Sequence, residues 1–373
     1  RRHGIILAKS APAKAYGVKT GEPLWQARRK CPELVVEPPD YALYVAASRR
    51  FIGLLRELAP QVEQYSIDEA WADLSGTARL YGEPAAAAQT IKKRIRDELG
   101  FTVTVGVSDN KLLAKIAGDL GAPDQVQTLF PGEIADKMWP LPVRNLFYVG
   151  RATETRLKML GINTIGELAA ADPQRLRRHL HKQGKLLWDF ANGRCDDAVS
   201  EASVLNKSYG NSTTTARDIC ERSLARRVLL SLSETVAMRM RGDGQSGSLV
   251  CVSLRTRDFQ DLRRQARRQE PTDATSEIYR DACRLFDELW DGHTPLRQLG
   301  VSVAMLTSEP SRQYCLFSDD NYEKLARADA AVDRIREKFG EASIMRATFL
   351  QPEVEPLAGG LSKERRSGVT KPV

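Results

Sequence analysis

The sequence predicts an α+β chain of several domains, and three observations carry that expectation. Its 373 residues exceed one typical domain. Residues 40–120 alternate helical and strand patterns, which implies a mixed sheet backed by helices. Residues 140–203 then change to short-looped helices, before strand and helix patterns resume beyond residue 204.

The elements follow in order. Residues 1–39 pair a short strand, Ile5-Ile6-Leu7-Ala8, with a helix near Pro23–Lys30. Tyr44, Phe51, Leu54, Leu55 and Leu58 recur at helical spacing and place an amphipathic helix over 40–59. An acidic strand containing Asp68 and Glu69 comes next, then a helix from Ala85 to Leu99. Phe101–Val107 reads as a strong strand, and Asn110–Leu120 as a helix stopped by Gly121. Val204–Thr215 is polar and reads as a linker running into a strand. Beyond it the expected order is helix Ile219–Arg241, strand Ser248–Arg257, strand Leu262–Gln269 and helix Ser276–Trp290. Strand Leu296–Thr307, helix Asp320–Phe339 and a strand-like Ile344–Leu350 complete it. The tail, 353–373, carries glycine, proline and charge with little to bury, and is expected to be disordered.

Composition narrows the class. A net charge of +8 favours a polyanionic partner. Val204–Glu270 holds 13 Lys/Arg against 7 Asp/Glu, so this stretch carries much of the surplus. The six cysteines form no CxxC pair, which fits buried thiols in a reducing cytosol better than disulfides or zinc. His179 and His181 have no cysteine or acid at ligand spacing and read as part of a basic helix. No apolar run approaches 18 residues, so no membrane span or membrane partner is expected.

The most informative stretch is Tyr65-Ser66-Ile67-Asp68-Glu69-Ala70-Trp71-Ala72-Asp73-Leu74. Burying one ionised carboxylate costs several kcal/mol or more unless something neutralises it, and two adjacent ones also repel. A divalent cation resolves both problems. On spacing alone, a strand-end turn with two solvated acids is the simpler reading.

Further motifs shift that balance. Ser66-Ile67-Asp68-Glu69-Ala70, Thr102-Val103-Thr104-Val105-Gly106-Val107-Ser108-Asp109-Asn110-Lys111 and Ala114-Lys115-Ile116-Ala117 together resemble the Y-family DNA polymerases of the bacterial DinB/UmuC-like translesion type. The resemblance covers essentially residues 1–350. It implies a right-hand polymerase with fingers at 1–39, a catalytic palm at 40–139, a helix-hairpin-helix thumb at 140–203 and a DNA-binding little finger at 204–352. It implies that Asp68 and Glu69 are catalytic metal ligands for two Mg²⁺ ions, with Mn²⁺ a possible substitute. Neighbours on a flat strand face opposite ways, so a hairpin end or bulge must bring both acids to one site. Lys115 would grip the triphosphate. Lys14, in Ala11-Pro12-Ala13-Lys14-Ala15-Tyr16-Gly17, takes the place of an arginine in the fingers' nucleotide contact and keeps the charge without the bidentate fork.

The same resemblance places DNA contacts at Gly150 and Arg151 of the helix-hairpin-helix, where Tyr148 stands in the usual place of the first glycine. It places others at Arg255, Arg257, Arg263, Arg264, Arg267 and Arg268 of the little finger. Alternation would leave about half of these arginines on one face. Gln313-Tyr314-Cys315-Leu316-Phe317 resembles the bacterial sliding-clamp-binding pentapeptide, with Gln313, Leu316 and Phe317 as contacts. The implied function is low-fidelity DNA synthesis past damaged bases in the cytoplasm, at the nucleoid, within the SOS response. Primer–template DNA, deoxynucleoside triphosphates and a sliding clamp would be the partners, and the need for an accessory subunit stays open. The family's third carboxylate and its sugar gate come from a first palm strand, and the chain begins downstream of both. The expectation is therefore a fold whose N-terminal palm strand is missing from the chain. A non-catalytic scaffold binding DNA and clamp is the rival. The absent strand favours it, and the retained Asp68, Glu69 and Lys115 oppose it.

Overall fold

The structure is a computed structural model that describes residues 4–201, 206–308, 322–350, 354, 356 and 357. The described chain forms two compact units, one drawn from Arg1–Pro39 with Leu205–Lys363 and the other from Asp40–Val204.

Residues 4–39 contain two short helices, α1 (Ala11–Ala15) and α2 (Leu24–Lys30). Their core is small: Ile6, Ala13, Val18 and Ala27, with Leu24, Cys31 and Leu34 against it. The strand expected at 5–8 is reduced to a single bridge between Ile5 and Pro23.

Within 40–201 the order is α3 (Tyr41–Leu58), β1 (Gln61–Gln64), β2 (Ala70–Asp73), α4 (Ala78–Tyr81), α5 (Pro84–Leu99), β3 (Val105–Val107), α6 (Lys111–Leu120) and β4 (Val126–Thr128). The mixed sheet expected here consists of two short ladders among the described residues. β1 and β2 pair antiparallel, and β3 and β4 pair parallel. The 101–107 strand is paired over only three residues, Val105–Val107. At its centre, Gly106 meets α6 so closely that an added Cβ would lie 1.9 Å from the Ala114 carbonyl oxygen and 2.4 Å from the Gly118 nitrogen. Only glycine permits that approach of strand to helix. One core joins α3 and α5 to the β1–β2 hairpin through Ile52, Leu55, Leu58, Val62, Ile91 and Ile95.

The helices that follow are α7 (Ile134–Lys137), α8 (Arg151–Met159), α9 (Ile165–Ala170), α10 (Pro173–Leu180) and α11 (Lys182–Ala191). A second core runs from Leu112, Leu113 and Ile116 of α6 into Leu157, Ile165, Leu168 and Leu187, so α6 is packed by the helical region as well as by β3. His179 lies in α10, and His181 follows it with a positive φ of 55°.

Residues 206–308 fold as β5 (Ser208–Ile219), α12 (Arg222–Gly242), β6 (Ser246–Thr256), β7 (Asp261–Thr272), α13 (Thr275–Leu289) and β8 (Leu296–Thr307). The strands form one antiparallel sheet in the order β5-β8-β6-β7. Val250, Val252, Leu254, Leu299, Val301 and Val303 point to the helix side and share a core with Leu229, Leu232, Val236, Ile278 and Phe286. The expected linker at 204–215 is mostly strand, because β5 pairs with β8 from Ser208 onward. Gly210 and Asn211 disfavour a strand, and Tyr209, the threonines and pairing with a central strand outweigh them.

The last helix, α14 (Tyr322–Phe339), buries none of its apolar side chains, and Arg336 is its one buried residue. The strand-like 344–350 segment closes instead in a 3₁₀ turn, Ala347–Leu350. Among the described cysteines only Cys251 is buried; Cys31, Cys195 and Cys283 are half-buried and Cys220 is exposed. The expectation of buried thiols is thus met fully only at Cys251 among the described cysteines.

Candidate active site and nucleic-acid interface

Asp68 and Glu69 stand in the loop that closes the β1–β2 hairpin, where Gln64 pairs with Ala70. The backbone N–H groups of Tyr65 and Ser66 both donate to the Glu69 carbonyl, at 3.0 and 3.1 Å. Gln64 Nε2 donates to the Ser66 carbonyl at 3.0 Å and to Ser48 Oγ on α3 at 3.2 Å, tying the loop to the helix behind it. The alternation of a flat strand therefore does not apply, and the requirement for a hairpin end is met. Asp68 is exposed, and its Oδ1 accepts from Ser66 Oγ at 2.7 Å.

α6 is registered on this hairpin by two lysines one turn apart. Lys111 Nζ donates to both oxygens of Glu63, at 2.7 and 2.6 Å, and sits 4.7 Å from the centre of the Trp71 ring. The Trp71 indole N–H returns a bond to the Lys111 carbonyl at 2.9 Å. Asn110 caps the helix by accepting from the Leu113 N–H. These contacts bring Lys115 to the acids, with Nζ 2.9 Å from Glu69 Oε1 and 3.0 Å from Asp119 Oδ1. Burial opposes the Lys115 charge, yet the hydrogen bonds to Glu69 and Asp119 hold its pKa above the ordinary lysine value. Tyr65 joins the same group. Its ring packs edge-on to Trp71 and Phe147, with centroids 4.9 and 5.9 Å away. Burial, followed by Tyr148 and the Glu69 carboxylate, raises its hydroxyl pKa against the pull of Lys115.

The structure thus brings Asp68, Glu69 and Lys115 together and adds Asp119, Glu63, Lys111 and Tyr65, to none of which the sequence reading had given a role. The Lys115–Asp119 spacing of four on one helix was a readable signal. Glu63 and Lys111 are 48 positions apart, and nothing in the sequence couples them. No group of three or more His, Cys, Asp or Glu side chains able to hold a metal occurs among the described residues. The donor set still fits Mg²⁺, which takes one or two carboxylates and completes its shell with water and substrate phosphates. Lys14 is exposed on α1, in the other unit.

The expected helix-hairpin-helix turn lies just before α8. Tyr148, in the glycine's place, adopts the left-handed backbone itself, with φ of 68°, and Gly161 turns with φ of 82°. Stacking of the Tyr148 ring against Phe147 and Phe190, at 4.3 and 6.0 Å, offsets that strain. Gly150 caps α8 and Arg151 begins it, both exposed. The first N–H groups of α8 are thus available to an anion.

On β7, alternation divides the arginines. Leu262 and Ala266 face the helix layer, and so do Arg264 and Arg268. Carboxylates of α13 already engage those two: Arg264 pairs with Glu288 at 2.7 Å, and Arg268 with Glu277 at 3.0 Å and also with Asp281. Arg255, Arg263 and Arg267 lie on the opposite face, where Arg255 and Arg263 join Ser253, Ser212 and Gln298 around a groove of about 260 Å³. Arg255 is forked onto Asp261 at 2.6 and 2.9 Å, and Arg263 Nε donates to Cys251 Sγ at 2.8 Å. Arg257 follows β6 in the turn towards β7. Gln313, Leu316 and Phe317 lie outside the described residues.

The chain has relatives among known proteins. Residues 1–119 match the impB/mucB/samB family, residues 131–162 the IMS family HHH motif, and residues 206–316 the impB/mucB/samB family C-terminal domain. "DNA polymerase IV" of Clostridium acetobutylicum is 40% identical over 352 residues, covering 94% of this chain and 88% of that protein. "DNA polymerase IV 2" of Bacillus subtilis is 38% identical over 359 residues, covering 94% and 86%. Among solved structures, the Y-family DNA polymerase chimera Dbh-Dpo4(243-245)-Dbh matches with a TM-score of 0.71 and 25% identity, over 83% of this chain and 89% of that one. The chain therefore belongs to the impB/mucB/samB family, the bacterial DinB-like Y-family DNA polymerases.

Proposed function

We propose that the protein extends a primer on a damaged template by adding deoxynucleotides from their triphosphates, with low fidelity. The observation that carries this reading is the 2.9 Å contact between Lys115 and Glu69 at the tip of an acid-bearing hairpin, in a chain of this family. Asp68 and Glu69 would hold the divalent cations, two Mg²⁺ ions with Mn²⁺ as a substitute. When bound, such ions supply Lewis-acid charge to the reacting oxygens.

The chain's own residues supply position. Lys115 carries a cation to the incoming β- and γ-phosphates, and Asp119 also binds that ammonium. Tyr65 and Trp71 pack the hairpin so that both acids emerge from its tip. Gly150 and Arg151 would contact backbone phosphates, which fixes register without reading bases. Arg255, Arg257, Arg263 and Arg267 would do the same from the open sheet face. Lys14 would add charge near the triphosphate. Fingers with a core of only four buried residues support loose enclosure of the nascent pair, and so lesion tolerance. Gln313, Leu316 and Phe317 would recruit a sliding clamp.

The test is primer extension by the full-length protein on undamaged and damaged templates, with Mg²⁺ and with Mn²⁺. Extension across the lesion with frequent misinsertion is expected. DNA binding without nucleotide addition under either metal would instead mark a scaffold.

A further inference from the structure

Residues 1–39 carry eight Lys/Arg against three Asp/Glu, a surplus of five that the site above uses only at Lys14. Part of this charge surrounds an exposed indole. Trp25 on α2 is 48% exposed, a high value for a side chain that is largely buried on average. Leu24 and Ala27 of the same helix supply its core contacts, so Trp25 is not required to hold the small domain together. Arg28 and Arg29 follow at i+3 and i+4 and so share its face of the helix. Trp25, Gln26, Arg29 and Lys30 line a surface groove of about 420 Å³. Lys30 is already engaged by Glu22 and by the Gly17 carbonyl. Arg28 and Arg29 carry no ion pair among the described residues.

We propose that Trp25, Arg28 and Arg29 bind single-stranded nucleic acid, specifically the unpaired stretch of the template strand. The source of that strand rests on the polymerase reading. The chemistry does not: a flat indole offers one base a stacking platform, and neighbouring guanidinium groups neutralise the adjoining phosphates. Duplex DNA hides its base faces and would leave the indole without a ligand. An apolar protein partner would strand two guanidinium groups at its interface. An unpaired strand uses both features at once. Stacking is indifferent to base identity, so this contact tolerates a damaged or unusual template base.

The experiment measures affinity for a labelled primer–template that is either blunt or carries a 5′ template overhang of about six nucleotides, by fluorescence anisotropy with the full-length protein. The overhang should tighten binding about tenfold, since stacking on one aromatic side chain is worth that order. Trp25→Ala should abolish the gain, Trp25→Phe should keep part of it, and Arg29→Ala should lower the salt slope of the gain by about 0.7. Affinity for the blunt duplex should not change in any variant. An equal overhang gain in wild type and Trp25→Ala overturns the proposal. So does an equal loss on blunt duplex, or a change of oligomeric state in Trp25→Ala without loss of the gain. Failure of every variant and of wild type to bind blunt primer–template would instead contradict the polymerase reading itself.

Discussion

Asp68, Glu69 and Lys115 were legible as single residues because their motifs are local. Their geometry was not, because it depends on partners far away in the chain. The indole of Trp71 and the carboxylate of Glu63 hold Lys111, and through it α6, against the hairpin. Lys115→Ala should therefore raise the KM for nucleotide about tenfold or more while kcat falls less, since a charge-assisted phosphate contact is worth about 1.5–3 kcal/mol; steady-state kinetics with varied nucleotide checks this. Asp291 gives a second prediction. Hydrogen bonds from the Thr294 hydroxyl and N–H and from the His293 N–H hold its carboxyl down at about 2. A depressed pKa stabilises the fold above the unfolded-state value of about 3.9, and that contribution is lost as pH falls towards about 2. Asp291→Asn should lower Tm at neutral pH and make the decline of Tm between about pH 4 and pH 2 shallower than in wild type. Parallel wild-type and variant curves over that window would contradict it.

Elements with strong periodicity were read closely. The strand expected at Leu296–Thr307 is β8 with the same bounds, because alternating apolar residues in a central strand leave one register. The strands between residues 61 and 128 were overestimated, since β-branched runs such as Phe101–Val107 show propensity but not how much partner backbone is available. Gly106 is the sharpest case: it stands inside that run and is the seat of α6. Gly106→Ala would drive a methyl group into the Ala114 carbonyl and displace the helix that carries Lys115. It should destabilise the protein by about 1–3 kcal/mol and raise the KM for nucleotide; denaturant unfolding and kinetics on the same variant check both. α14 was read correctly as a helix, but its mode of docking was not readable from pattern. It is held by charge: Arg241 binds Asp329 and Asp333 at 3.2 and 2.6 Å, while buried Arg336 and exposed Arg346 meet buried Glu234 at 3.6 and 2.6 Å. Glu234→Ala leaves Arg336 buried without its counterion and should cost about 3–5 kcal/mol in urea unfolding.

Across the whole molecule, charge and fold class were the most legible features, because both are sums over many residues. The division of labour among the arginines was not. Composition counts Arg264 and Arg268 with the rest, whereas the register of β7 turns them into the helix layer to pair with α13. Phosphate contacts should then come from Arg255, Arg257, Arg263 and Arg267 and from the start of α8. About three to five neutralised phosphates give a slope of log K against log salt near −3 to −4.5 for duplex binding. The double charge reversal Arg263→Glu with Arg267→Glu should flatten that slope, and an unchanged slope would remove the sheet face from the DNA interface. The central claim, that the paired acids serve nucleotide addition, is tested most directly by Asp68→Ala in the full-length protein, with single-turnover primer extension and DNA affinity measured side by side. Extension should fall by several orders of magnitude while affinity for primer–template stays within about twofold of wild type. Extension at the wild-type rate would contradict the account.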